Sequence, residues 1–136
     1  MDPRIAELTR TLTKNPGAGE VTLREATSNL GRALPADYLE FMRSANGAEG
    51  SIGGKAYVSL WPLKELELLN AEYAVTEFAP GLILFGSDGG DTAYAFDTRT
   101  NEERIVEVPF VGMSVDTITP LGDSLVDFFE RLAAQE

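Results

Sequence analysis

No cysteine and no histidine occur among the 136 residues of this chain. The first absence removes disulfides, thiolate nucleophiles and zinc–sulfur sites, and it agrees with a reducing cytoplasm. The second removes the commonest general base and the commonest metal ligand. Together they exclude any mechanism built on a Ser-His-Asp or Cys-His arrangement. The opening MDPRIAELTRTL lacks the continuous apolar run of a signal peptide. No window approaches the roughly 18 apolar residues of a membrane-spanning helix. A soluble cytoplasmic protein with no membrane contact is therefore expected.

Basic residues are scarce too, and unevenly so. Net charge is −11; residues 1–64 hold 8 Lys/Arg against 7 Asp/Glu, whereas residues 65–136 hold 3 against 15. From Glu65 to Thr98 there are seven acids and no base. Such a field repels nucleic acid and anionic membrane and attracts basic partners. The plainer reading is a solvated acidic face that keeps the protein in solution.

What is present is an ordinary globular pattern of one domain's length. Asp2-Pro3 reads as an N-cap followed by proline at the first helical position, with Ile5, Leu8 and Leu12 as the apolar stripe. Thr22 and Glu25 have capping-box spacing ahead of a second helix that Gly31 stops. Pro35 opens a third, with Leu34, Tyr38, Phe41, Met42 and Ala45 on one face and Asn46-Gly47 as its left-handed exit. AEGSIGGK (48–55) reads as loop. Its Gly-Lys is no phosphate loop: Glu49 stands where the first glycine belongs, and Ala56 where Ser or Thr belongs.

AYVSLW (56–61) alternates as a strand, and Pro62 opens a helix carrying Leu63, Leu66, Leu69 and Tyr73. LILF (82–85) is the continuous apolar run of a strand buried on both faces, while TAYAFD (92–97) and RIVEVP (104–109) are further strands. Ser124 caps a last helix with Asp127 near its positive end and Leu121, Leu125, Phe128, Phe129 and Leu132 as its stripe. Helices come first, strands next and one helix last, which is α+β, with an antiparallel meander among the later strands.

The stretch LFGSDGGDTAYAFD (84–97) sets Asp88 and Asp91 around Gly89-Gly90. A tight hairpin needs those glycines for positive φ, which accounts for both without chemistry. A calcium or magnesium site is the weaker reading, because the spacing departs from the EF-hand pattern. A paired-carboxylate hydrolase is weaker still, since it needs a cleft and a hairpin tip is expected to be convex.

LPADYLEFM…NG, LWPLKELELLN, PGLILFGSDGGDTAYAFD, VEVP and DSLVDFFERL, in this order, resemble the Smi1/Knr4 family, the core of the SUKH superfamily. The resemblance runs from about Val21 to Leu132; no single motif is specific, but the ordered set is. It implies an α+β, SUKH-like fold with a mixed or antiparallel sheet packed against helices, as one domain over residues 1–136 with residues 1–20 as an N-terminal helical extension. It implies no catalytic residues, no cofactor and no metal.

Bacterial relatives are typically immunity proteins that bind a cognate polymorphic toxin, often one directed at nucleic acid. The implied role is thus toxin neutralisation by an acidic surface, as a monomer in a one-to-one complex with a basic protein and without direct contact to nucleic acid. The alternative is a non-catalytic interaction scaffold, as in fungal members. Those commonly carry long disordered flanks, and their lack here favours the immunity role. The candidate contact residues are the acids Glu65, Glu67, Glu72, Glu77, Asp88, Asp91 and Asp97. Tyr57 and Trp61, the only tryptophan, are the candidate aromatic anchors. Against these stand solvation for each acid and core packing for the two aromatics.

Overall fold

The structure, a computed structural model, describes residues 1–135. It opens with α1 (Pro3–Leu8), where the Asp2 carboxylate accepts the Arg4 N–H at 2.7 Å and Pro3 takes the first turn. The helix ends at Leu8 instead of continuing to Leu12. The Thr9 hydroxyl donates to the Ile5 carbonyl at 2.7 Å, and a two-residue strand, β1 (Thr13–Lys14), follows. Leu12 is still buried, but from a loop.

α2 (Glu20–Leu30) starts ahead of the expected Thr22–Glu25 box, with Gly19 at the N-cap and no side-chain cap. The preceding loop is docked on the next helix: Ala18 N–H donates to the Met42 carbonyl. Gly17 lies so close to the Arg43 carbonyl that any Cβ would overlap it. Gly31 ends α2 in the left-handed region at φ 68°, as its sequence indicates. α3 (Ala36–Ser44) follows, with Tyr38, Phe41 and Met42 buried.

The segment read as loop after α3 is in fact a strand, β2 (Ala48–Ile52), paired in full register with β3 (Ala56–Leu60). Gly50 opposes Val58, and Gly53 at φ 66° makes the turn. Glycines weaken a strand's pattern in sequence, and cross-strand pairing supplies what the pattern lacks.

α4 (Leu63–Glu72) and the short α5 (Val75–Phe78) lead to β4 (Leu82–Ser87), β5 (Thr92–Asp97) and β6 (Arg104–Pro109). A 3-10 turn at Val115–Thr117 precedes β7 (Thr119–Gly122), and α6 (Leu125–Ala133) closes the described chain. Ser124 Oγ accepts the Asp127 N–H to cap α6, as expected. The seven strands lie in the order β1 to β7, each antiparallel to its neighbour. The fold is α+β.

Both faces of the sheet are covered at its centre, so β4 is buried at every position. One face packs a large core in which Phe85 stacks on Phe96 at 4.2 Å and Tyr38 meets Phe96 edge-on at 4.9 Å. The other holds a smaller cluster with Val75, Ala79, Leu84, Ala95, Val106 and Val108.

β3 and β4 pair only at Ser59–Ser87 and Leu60–Gly86, after which the chain departs into α4. A Cβ on Gly86 would meet the Ser59 carbonyl oxygen at 2.5 Å, so glycine permits this close crossing. Beyond it, the Asn70 side chain on α4 stands in for the missing strand. Its amide donates to the Leu84 carbonyl at 3.0 Å and accepts the Leu84 N–H at 2.9 Å. A buried main-chain pair is satisfied in this way, and α4 is fixed against the sheet.

Candidate partner-binding groove

Where β3 leaves the sheet, a groove of about 730 Å³ opens on the face that α4 and α5 only partly cover. Strand alternation places Tyr57 and Ser59 of β3, and Trp61 just past its end, in it together, beside Glu49 of β2 and Ser87 of β4. α4 supplies Glu65 and Leu69, with Tyr73 at its C-cap, spaced by four residues along one side of the helix. Asp88, Gly89 and Gly90 of the β4–β5 hairpin and Phe110 just past β6 complete the lining. Phe110 packs on Tyr73 with ring centroids 4.6 Å apart.

The hairpin is built locally. One Asp88 oxygen accepts the Gly90 N–H at 2.8 Å and the Thr92 N–H at 3.2 Å, an arrangement that holds the turn. Gly89 sits at φ 83°, and a Cβ there would come within 2.8 Å of the Tyr57 ring. The glycine serves the turn and also makes room for the aromatic side chain beside it. The tip, expected to be convex, thus borders a concavity.

Electrostatics in and around the groove are one-sided. The Tyr57 hydroxyl donates to Glu49 Oε2 at 3.0 Å. That bond raises the Tyr57 pKa above the ordinary phenol value, with burial and the charge of Glu49 adding to it. Burial lifts the Glu107 carboxyl and the Tyr94 phenol above their ordinary values, and the charge of Asp88 adds to both. Among the described residues, no three carboxylates come together in a group able to hold a metal ion. No described helix is long and apolar enough to cross a membrane.

Four of the nine residues singled out from sequence line this groove: Tyr57, Trp61, Glu65 and Asp88. Trp61 is half-buried between the two cores, and Tyr57 is 39% exposed. Glu72, Glu77 and Asp91 are exposed outside the lining. Glu67 points elsewhere, into a smaller cavity with Thr22, Glu25 and Lys64 between α2 and α4.

Asp97 is corrected outright as a surface contact. It is 2% exposed and bonded to Arg99 Nε and Nη2, both at 2.9 Å, with Arg104 Nη2 at 3.6 Å. The hydrogen bonds from Arg99 hold its carboxyl below the usual range against the opposing effect of burial. Its charge is neutralised inside the fold and is closed to a partner.

Sequence reasoning missed Glu49, Ser59, Leu69, Tyr73, Ser87 and Phe110. The helical spacing of Glu65, Leu69 and Tyr73 was a usable signal. Glu49 was hidden by reading β2 as loop, and nothing local marks Phe110.

The family described as SMI1 / KNR4 family (SUKH-1) matches residues 17–131, a span that reaches from the loop before α2 into α6. No curated protein matches the chain. With most of its length inside that match and an α+β antiparallel meander as its fold, the chain belongs to the SMI1/KNR4 family (SUKH-1).

Proposed function

We propose that this protein is a non-catalytic immunity protein that binds a basic, nucleic-acid-directed protein toxin in the cytoplasm, one to one, through the groove. Family membership is consistent with that role. The observation that carries the reading is the meeting of Tyr57, Trp61 and Tyr73 with Glu49, Glu65 and Asp88 in one concavity. Tyrosine and tryptophan are the residues that most often anchor protein interfaces. A toxin that handles nucleic acid needs a basic surface for phosphates, and carboxylates placed in the same positions compete for it. Complementary charge also speeds capture, up to on the order of 10⁸–10⁹ M⁻¹s⁻¹ at low salt.

The test is calorimetric titration of the purified protein with the product of the neighbouring gene, held catalytically inactive. The expected result is a one-to-one complex whose affinity falls as salt rises. Failure to bind a neighbouring toxin, together with capture of a housekeeping regulator, would transfer the protein to the scaffold role.

A further inference from the structure

The acids of the groove, like Glu67, Glu72, Glu77 and Asp91 of the same acidic tract, have no basic partner among the described residues; what sets them apart is that they border one concavity. Asp97, Glu20 and Asp127 are each paired with an arginine. Glu49, Glu65 and Asp88 form no ion pair among the described residues, and none of the groove's described lining side chains is basic. They come from three separate elements and surround a space lined by the rings of Tyr57, Trp61 and Tyr73. Tyr57 and Tyr73, which both line this hollow, each remain 39% exposed, so their rings keep apolar surface in water that a partner can cover. Aromatic faces beside unpaired carboxylates complement a cation that is itself flat and weakly hydrated. A guanidinium stacks on rings and forms two parallel bonds to a carboxylate, whereas an ammonium is a compact, strongly hydrated charge. Phe110 of the lining adds a further apolar ring beside Tyr73.

Resting on the partner-binding reading above, we propose that the groove is an arginine socket. It takes the side chain of one arginine from an exposed segment of the partner protein, stacked on Trp61 and Tyr57 and paired with Glu65.

The test uses the blocked peptide acetyl-Gly-Gly-Arg-Gly-Gly-amide, the same peptide with citrulline or lysine in place of arginine, and free argininamide. Binding is read by Trp61 fluorescence and by backbone amide shifts. The arginine peptide is expected to bind on the order of millimolar, as a single side chain at an open site allows. It should bind about tenfold more tightly than the citrulline peptide, since only the charge and its paired bonds differ. The lysine peptide falls between them. Glu65→Gln should remove most of the arginine–citrulline difference without changing the melting temperature. The proposal is overturned by equal binding of arginine and citrulline, by shifts outside the groove, or by a folded Glu65→Gln protein with undiminished discrimination. It is also overturned if free argininamide outbinds the peptide, which would mark a small-molecule site. Arginine binding without a toxin partner would sink the immunity reading alone; a toxin complex without arginine discrimination would sink the socket alone.

Discussion

Replacing Asn70 tests the joint that positions one side of the groove. Its side chain makes three hydrogen bonds: to the Leu66 carbonyl at 2.8 Å, to the Leu84 carbonyl at 3.0 Å, and from the Leu84 N–H at 2.9 Å. Leu84 is fully buried, and β3 has already left the sheet at that point. Asn70→Ala therefore strands one buried donor and one buried acceptor, each at about 1–3 kcal/mol. Partial access of water on the α4 side brings the expected loss to about 2–4 kcal/mol. For a chain of this size that lowers the melting temperature by about 10 °C.

Asn70→Asp sharpens the test. The introduced carboxylate still accepts the Leu84 N–H but turns negative charge on two carbonyls, whereas its protonated form can donate to one of them. Its folded pKa is thus raised above the unfolded value. The stabilising contribution is full below the unfolded pKa and is lost as pH rises through the folded one. Urea unfolding followed by circular dichroism, at about pH 4 and pH 7, should show Asn70→Asp near wild type at the lower pH and well below it at the higher. A loss under about 0.5 kcal/mol for Asn70→Ala, the bottom of the range for one hydrogen bond, would refute this account of how α4 is held.

Gly89→Ala should cost about 1–2 kcal/mol from the left-handed backbone alone, and it should also weaken partner binding because its Cβ displaces the Tyr57 ring; a thermal melt and the peptide titration read the two effects. Asp97, with its pKa lowered by Arg99, contributes stability that is present above its unfolded pKa and lost as pH falls through the folded one. Asp97→Asn should be less stable at pH 7, with the gap to wild type closing below about pH 4 in urea melts. Glu107 works in the opposite sense: burial raises its pKa, so its contribution is present below the unfolded value and lost as pH rises through the folded one. Glu107→Gln is expected to melt higher than wild type at neutral pH and to match it in acid.

The elements with strong local signals were legible in the sequence. Pro35 and the Tyr38–Phe41–Met42 stripe marked α3, LILF marked a doubly covered strand, and Ser124 with Asp127 marked α6. Two of the failures share one cause, tertiary contact overriding local pattern, whereas α1 stops early at a local bond from Thr9 to the Ile5 carbonyl. β2 is glycine-rich and exists because β3 pairs with it. α2 begins at Glu20 because the loop before it is docked on α3. The same division runs through the groove. Tyr57, Trp61 and Glu65 lie close in sequence where charge and aromatics were visible, and they do line it. The acidic tract as a whole did not form one surface: Glu67 faces α2, and Asp97 is turned inward to Arg99 and Arg104. Net charge alone does not say which side of a helix or strand each carboxylate occupies.

The central claim, that the groove is where the partner is held, is tested most directly by growth of cells expressing the neighbouring toxin together with variants of this protein. Wild type and Glu67→Lys, whose change lies in the α2–α4 cavity, are predicted to restore growth, whereas a folded Trp61→Ala/Glu65→Lys double variant is predicted not to. Full protection by that double variant, or loss of protection by Glu67→Lys alone, would contradict the claim.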